Sequence, residues 1–312
     1  MSQSVLTFDQ ISNAKSHRKE LELPEFIMSK VFFLTGAGSG LGRVTARYLL
    51  LKGHRVFLTD YNESFLEITC TKHLSSVIPA EMASNFRWSR MDVSNGEDVA
   101  QAILKCVQEF GTIDVLINNA GINSQYMRAG IRMDEVPISD FERILNVNLI
   151  GTYRVSQQAI PYLEKSPGGG VIINMSSCRA HQQSKHGEAY AASKAGIEGL
   201  SMAMSVSLGP KIRVHVISPG MVDVRSERDE EAMPDIDTIR KDLKRDFQSE
   251  YAPEWGFGKS EAMHEAHPVG RIGKGEDVAR WVEFLSVLES GFTTGGTYLV
   301  DGGYSKVLSY PN

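Results

Sequence analysis

A tyrosine and a lysine, Tyr190 and Lys194, stand four residues apart in a segment with the pattern of a helix. That spacing puts the phenol and the ammonium group on one face of the helix. A positive charge beside a phenol favours the phenolate and lowers the pKa of the phenol. A phenol tuned toward neutral pH can protonate a carbonyl or deprotonate an alcohol. An isolated Tyr-x-x-x-Lys also arises by chance, and an ordinary surface contact is then the alternative.

Short apolar runs alternate with longer amphipathic segments from residue 30 onward. The apolar runs predict strands at 31–34, 55–59, 86–91, 115–117, 171–175, 212–217 and 297–300. The amphipathic segments predict helices at 41–52, 63–74, 97–110, 139–163, 189–208 and 276–288. Strands that alternate with helices indicate an α/β protein whose parallel sheet is covered on both faces.

Two segments fall outside this rhythm. Residues 1–29 are mixed and polar and are interpreted as an N-terminal extension of the domain that spans 30–312. Residues 224–268 are charged, contain Trp255 and Phe257, and are predicted to be an insertion between two strands. A long insertion at that point is often a lid over a site, and a surface elaboration is the alternative.

A glycine-rich loop follows the first predicted strand and opens the first predicted helix. Glycine lets the backbone turn sharply and approach a pyrophosphate, and a helix N-terminus offers unpaired N–H groups to phosphate. The strand–turn–helix context is the one that a dinucleotide-binding loop requires. The predicted cofactor contacts in this loop are Gly36, Gly38, Ser39, Gly40, Leu41 and Gly42.

An acidic residue, Asp60, ends the second predicted strand, where a carboxylate can accept hydrogen bonds from the adenosine ribose. It would repel a 2′-phosphate, so NAD is expected rather than NADP. Further along, Asp92 and Val93 follow the third strand, and Asp92 could bind the adenine amino group or cap the next segment locally. The turn after the fourth strand, residues 118–121, could be purely structural.

The chain resembles the short-chain dehydrogenase/reductases from about residue 30 to residue 305. The resemblance rests on the glycine loop, Asp92, the 118–121 turn and a set of later positions that keep the family's order and spacing, namely Asn148, Ser177, Tyr190, Lys194, Pro219 and Gly220. It implies a single Rossmann-like, doubly wound parallel sheet, a nicotinamide cofactor and a homotetramer or homodimer.

The resemblance also implies roles for individual residues. Tyr190 would be the general acid/base, and Lys194 would lower its pKa and bind the nicotinamide ribose. Ser177, preferred to its neighbour Ser176 on spacing, would orient the substrate oxygen. Asn148 would hold a water that links Lys194 to solvent, with hydrogen bonding to the helix backbone as the alternative. The cofactor contacts would be completed by Asn119, Ala120, Gly121, Pro219, Gly220 and Val222.

Composition narrows the remaining possibilities. The 312 residues carry 33 basic and 38 acidic side chains, a net charge of −5 without a basic stripe, so nucleic acid is not an expected partner. Three scattered cysteines suggest reduced thiols and predict neither a disulfide framework nor a metal site. With no secretory signal and no membrane-spanning stretch apparent, a cytoplasmic protein without a membrane partner is expected.

The sequence therefore predicts an NAD(H)-dependent oxidoreductase that acts on a small-molecule secondary alcohol or ketone. The polar, partly cationic segment 178–187 would suit a polyhydroxy or anionic substrate, or it could be a solvated loop. The alternatives are an NADP-dependent reductase, a non-catalytic NAD-binding regulator, and an isomerase, epimerase or dehydratase of the same fold.

Overall fold

The computed structural model of the protein describes residues 29–224, 261–287 and 290–307. The predicted N-terminal extension, except for its last residue, lies outside these ranges. So does most of the predicted insertion, including Trp255 and Phe257. The interpretation of the insertion as a lid therefore stays a prediction.

Seven strands form one parallel sheet in the order β3-β2-β1-β4-β5-β6-β9, and β7 and β8 pair separately. The strands are β1 Val31–Thr35, β2 Arg55–Asp60, β3 Phe86–Arg90, β4 Val115–Asn118, β5 Gly170–Met175, β6 Ile212–Pro219, β7 Val222–Asp223, β8 Gly273–Lys274 and β9 Thr297–Val300. The order reverses between β1 and β4, where a doubly wound sheet opens a crevice at the carboxyl ends of its strands.

Helices cover both faces of this sheet, as predicted. They are α1 Gly40–Leu51, α2 Glu63–Ile68, α3 Gly96–Phe110, α4 Gln125–Arg128, α5 Ile138–Leu145, α6 Gly151–Leu163, α7 Glu188–Leu208, α8 Glu261–Glu265 and α9 Gly275–Ser286. Helix α3 begins at a residue type that favours helix starts. The side chain of Asn95 accepts hydrogen bonds from the first-turn N–H groups of Glu97 and Asp98. Gly111 closes the helix with a φ of 82°. Within the described residues, no helix combines the length and the apolar character needed to cross a membrane.

Adjacent residues of the strands feed two different cores because their side chains alternate between the two faces. Phe32 and Leu34 of β1 pack in the cluster that includes side chains of α1 and α9. Val31 and Phe33 pack on the opposite face with side chains of α3, α6 and α7. Burial on both faces explains why these strands are continuously apolar.

Two helices that the sequence predicts as regular change their winding partway. The predicted helix 63–74 is α2 followed by a π-helical segment, Thr69–Leu74. The predicted helix 139–163 consists of α5, a π-helical segment Asn146–Ile150, and α6. Apolar spacing does not distinguish a π turn from an α turn over so short a stretch. The second π segment carries Asn148, and π turns frequently mark functional positions.

Candidate functional site

A cleft of about 1090 Å³ lies along the carboxyl ends of the parallel strands. It brings together most of the residues that the sequence predicts for the site. Of the catalytic set, Ser177, Tyr190 and Lys194 line it. Of the cofactor set, it is lined by Gly36, Ser39, Gly40, Leu41, Gly42, Asp60, Asp92, Val93, Asn119, Ala120, Gly121, Pro219, Gly220 and Val222. Gly38 and Asn148 do not line the cleft. They are buried behind its wall.

The glycine loop is tight at two positions where no side chain could fit. A Cβ added at Gly42 would lie 2.0 Å from the carbonyl oxygen of Gly36, so the turn closes only on a bare backbone. Gly36 has a φ of +67°, and a Cβ there would lie 2.8 Å from the Cα of Ala120. The side-chain amide of Asn119 donates hydrogen bonds to the carbonyls of Thr35 and Gly36 at 3.0 and 2.9 Å. Asn119 thus holds the loop in place as well as lining the cleft.

Gly38 connects this loop to the acidic residue that ends β2. The Gly38 N–H donates to Asp60 Oδ2 at 2.9 Å, and the Asn62 N–H donates to Asp60 Oδ1 at 2.9 Å. The Gly38 carbonyl accepts hydrogen bonds from Arg43 Nη2 at 2.6 Å and from Thr69 Oγ1 at 2.8 Å. Arg43 is fully buried and does not line the cleft. The carboxylate of Asp60 is therefore held at a fixed place on the cleft wall.

This end of the cleft fits a dinucleotide. The tight turns of the loop exclude side chains, which leaves its backbone accessible to a ligand. The N-terminus of α1 faces the same space, and Gly40, Leu41 and Gly42 line it. The oriented carboxylate of Asp60 lines the cleft beside this loop, at the carboxyl end of β2. A cleft of this volume is also large enough for an extended ligand.

The acid after β3 makes a local contact. Asp92 Oδ1 accepts hydrogen bonds from the Ser94 N–H at 2.8 Å and from Ser94 Oγ at 2.6 Å. This is the Asx-type turn that the sequence left open as the alternative to adenine binding. Asp92 still lines the cleft, with Val93 beside it.

At the other end of the cleft, α7 and the end of β5 bring three side chains together. Lys194 is almost fully buried, and its Nζ donates to the carbonyl of Met175 at 2.8 Å. Its Nζ lies 5.5 Å from the centroid of the Tyr190 ring. The Ser177 side chain is close enough to the Tyr190 phenol to lower its pKa. A phenol, a hydroxyl and an ammonium group thus share one wall, in the arrangement that proton transfer to an alcohol or carbonyl oxygen requires.

The pKa values of this group differ from the sequence expectation. Burial raises the pKa of Tyr190, and the Ser177 side chain offsets part of that rise. The predicted lowering of the phenol pKa is therefore wrong for the chain by itself, because burial is the larger effect. The Lys194 ammonium group donates its hydrogen bond to the Met175 carbonyl. Burial also lowers the pKa of Lys194 to about 8, since a charge without water is destabilised.

Asn148 is fully buried behind this wall, in the π-helical segment. Its Oδ1 accepts from the Ile122 N–H at 2.8 Å, and its Nδ2 donates to the Ile122 carbonyl at 2.9 Å and to Ser193 Oγ at 3.0 Å. A Cβ added at Gly121 would lie 3.4 Å from Asn148 Oδ1 and 3.5 Å from Lys194 Nζ. The glycine therefore leaves a small space between the amide and the ammonium group.

One carboxylate that the sequence analysis missed lies behind the wall formed by Ser177, Tyr190 and Lys194. Glu198 Oε1 accepts hydrogen bonds from Ser176 Oγ at 3.0 Å, from Ser218 Oγ at 2.8 Å and from His181 Nε2 at 3.0 Å. These donors come from the end of β5, the end of β6 and the turn after Ser177. Glu198 lies one helical turn beyond Lys194, a signal that a search for carboxylates on the face of the tyrosine–lysine pair would have found.

The cleft also has a cation that the sequence analysis did not single out. Arg179 follows Ser177 by two residues and lines the cleft with it. The sequence identified segment 178–187 as partly cationic, but it could not separate the arginine that faces the cleft from the neighbouring Lys185, which does not line it.

The comparison with protein families agrees with this geometry. Residues 30–235 match the family model described as short chain dehydrogenase. A 3-oxoacyl-acyl-carrier-protein reductase from Thermotoga maritima is 30% identical over 275 residues, covering 88% of this chain and 97% of that protein. A cis-4-hydroxycyclohexanecarboxylate dehydrogenase from Sinomonas cyclohexanicum is 26% identical, covering 91% of this chain and 99% of that protein.

Solved structures show the same architecture. The ligand-free aldohexose dehydrogenase of Thermoplasma acidophilum superposes with a TM-score of 0.70 at 28% identity, covering 91% of this chain and 98% of that chain.

Proposed function

Because the chain belongs to the short-chain dehydrogenase family and is an oxidoreductase of that family, we propose that it transfers a hydride between NAD(H) and a secondary alcohol or ketone. The observation that carries the proposal is the shared wall of Ser177, Tyr190 and Lys194 in the cleft that also holds the glycine loop and Asp60. Both halves of a hydride transfer, a nicotinamide and a proton-handling group, would meet in that one cleft.

In the oxidation direction, the C–H bond of the carbinol carbon would break with its hydrogen leaving as hydride. The O–H proton would pass to Tyr190 in its phenolate form, whose own proton has first left toward Lys194 and solvent. Bound NAD⁺ would supply the hydride acceptor. Ser177 would donate a hydrogen bond to the substrate oxygen as charge develops on it. Lys194 would hold positive charge beside the phenol. The space beside Gly121 would let a water connect Asn148 with Lys194 and carry the proton onward.

The preference for NAD over NADP is proposed from Asp60. Its carboxylate is fixed by the N–H groups of Gly38 and Asn62, so it cannot easily move away from a 2′-phosphate. Purified protein assayed with NAD⁺ and NADP⁺ separately would test this selection. Turnover with NADP⁺ alone would show that Asp60 does not exclude the phosphate.

The experiment that tests the reaction uses Tyr190→Phe. We expect turnover to fall by about three orders of magnitude, the middle of the range for a general acid/base, with NADH binding kept. Tyr162→Phe, a tyrosine outside the cleft, is the control. The reaction would be followed by nicotinamide absorbance across polyols, hydroxy acids, steroids and cyclic alcohols. Undiminished turnover in Tyr190→Phe would refute the assignment, and NADH binding without turnover of any substrate would favour a regulator.

Assembly and location are proposed on separate grounds. Apolar side chains are exposed on the described surfaces of the helical stretch Ile138–Leu163 and of α7, among them Ile150, Tyr153, Met202 and Val206. We expect a homodimer or homotetramer through these helices, and a monomer in light scattering at micromolar concentration would contradict it.

All three cysteines are free and buried, which supports a reducing, cytoplasmic environment.

A further inference from the structure

The turn after the catalytic serine fixes Arg179 at both of its backbone groups. Its N–H donates to Ser177 Oγ at 3.2 Å, and its carbonyl accepts from Gln183 Nε2 at 2.8 Å. The residue lies within one 3₁₀ turn, Cys178–Ala180. The side chain therefore starts from a fixed point next to Ser177 and lines the cleft with it.

The guanidinium group of Arg179 has no acidic partner among the described residues. Arg143, which also lines the cleft, is different because its Nη2 is paired with Asp140 Oδ1 at 2.7 Å. Asp301 is an acid close enough to influence Cys178, but its two carboxylate oxygens accept the N–H groups of Gly303 and Ser305, each at 2.9 Å. Arg179 thus brings a positive charge to the cleft that the surrounding described side chains do not neutralise.

Its charge acts on the reacting end of the cleft. The positive charge of Arg179 lowers the pKa of Tyr190, which opposes the larger effect of burial, and it also opposes the burial that raises the pKa of Cys178. The arginine is therefore within electrostatic reach of the phenol that we propose as the acid/base. Apolar side chains line the same region, namely Ile122, Met127 and Met221.

We propose that the substrate is a hydroxy or oxo acid whose carboxylate binds Arg179 while its hydroxyl or carbonyl oxygen meets Ser177 and Tyr190. The planar guanidinium fork matches a carboxylate through two parallel hydrogen bonds, which favours a carboxylate over a compact dianion held by several cations. The lining methionines would contact an apolar body between the two polar ends of the substrate. This inference rests on the proposed function and names the substrate class for it.

The test compares an acid with its neutral ester. The probes are cis-4-hydroxycyclohexanecarboxylate and 3-hydroxybutyrate, each beside its methyl ester, with NAD⁺ as the cofactor. The variants are Arg179→Gln, which removes the charge, and Arg179→Lys, which keeps the charge without the fork. Arg132→Gln, a surface arginine whose side chain is 77% exposed, is the matched control.

The wild-type protein is expected to prefer an acid to its ester. In Arg179→Gln, kcat/KM for that acid is expected to fall by about 10- to 100-fold, the size of a lost charge-assisted hydrogen bond. The change for the acid should lie mainly in KM, and Arg179→Lys should fall between. The ester should lose much less than the acid, because it loses only the effect of the Arg179 charge on the pKa of Tyr190. Equal turnover of acid and ester, or equal losses for both in Arg179→Gln, would overturn the inference while leaving the oxidoreductase function intact.

If neither probe pair is turned over, calorimetric binding of the two acids to the NAD⁺-loaded protein decides the question. Binding that is lost in Arg179→Gln supports the carboxylate site, and absence of binding overturns it. Failure of the proposed function has a different signature, because it appears as turnover that persists in Tyr190→Phe.

Discussion

Replacement of Lys194 by methionine should change how the stability of the protein depends on pH. Lys194 is 4% exposed, and burial lowers the pKa of its ammonium group from 10.5 to about 8. An unfolded lysine keeps the higher value. Between these two pH values the unfolded chain binds more protons than the folded chain, so the free energy of unfolding rises with pH.

The size of the effect follows from the two pKa values. At pH 7 both states are protonated, and burial of the charge costs the folded state about 3 kcal/mol, at roughly 1.4 kcal/mol for each pKa unit. By pH 10 most of this cost is gone, because Lys194 is then neutral in the folded protein and the unfolded lysine is close to its own pKa. The stability advantage of Lys194→Met over the wild type should therefore shrink by about 2.5 kcal/mol between pH 7 and pH 10.

Measuring the change between pH 7 and pH 10, rather than the stability at one pH, removes the effect of a lost hydrogen bond. Methionine leaves the Met175 carbonyl without the hydrogen bond that Lys194 donates at 2.8 Å, which costs about 1–3 kcal/mol. That loss does not titrate, so it shifts the variant equally at every pH and cancels from the pH-dependent difference.

Urea unfolding followed by tryptophan fluorescence, at one protein concentration and without cofactor, would measure the difference at each pH. Lys211→Met is the matched control, since Lys211 is a surface lysine whose side chain is 63% exposed. Its difference from the wild type should be small and nearly constant. A constant difference for Lys194→Met as well would refute the reasoning, because it would mean that burial does not displace the pKa of Lys194.

Three further substitutions test separate parts of the site. Gly121→Ala fills the space between the Asn148 amide and the Lys194 ammonium group. It should lower kcat about tenfold, because one link in the proposed proton-transfer path is lost. Gly199→Ala is the control and should leave kcat unchanged, because a Cβ there meets nothing within 4 Å. Glu198→Ala should lower kcat more than it raises the Kd of NADH, with partial rescue in Glu198→Gln; equal losses in both readouts would mean general unfolding. Gly38→Ala places a Cβ 2.9 Å from Asp60 Oδ2 and should weaken NAD⁺ binding at least tenfold, as measured by calorimetry. Unchanged affinity would show that the Asp60 carboxylate does not contact the cofactor.

The parts of the fold that sequence predicts well are those with a strong local cause. Residues 31–34 of β1 and 56–58 of β2 are continuously apolar because both faces of the sheet are covered, and this marks them as buried strands. Helix α3 begins at an asparagine cap and ends at a left-handed glycine, so its limits can be predicted to within a residue. The π-helical segments could not be predicted in the same way, since their apolar positions resemble those of an α-helix.

The site divides along a similar line. The glycine loop and the Tyr190–Lys194 spacing depend on backbone geometry that neighbouring residues determine. The raised pKa of Tyr190 and the hydrogen bonds to Glu198 depend on burial and on segments far apart in the chain. Asp92 illustrates the limit, because the same residue type suits a ligand and an Asx turn, and only the contact with Ser94 reveals the local use.

The contact between α1 and α9 bears on how the chain folds as it is synthesised. Helix α9 packs on α1 closely enough that a Cβ at Gly275 would lie 2.7 Å from Val44, and Tyr48 donates a hydrogen bond to Glu283 at 2.6 Å. Lys30, at the start of β1, donates to the carbonyl of Ser286 at 2.6 Å, across 256 positions. Helix α1 therefore keeps an uncovered apolar face until α9 has left the ribosome. We expect the nascent chain to need protection from aggregation over that interval. We expect the sheet to be complete only after β9 has been synthesised and has paired with β6.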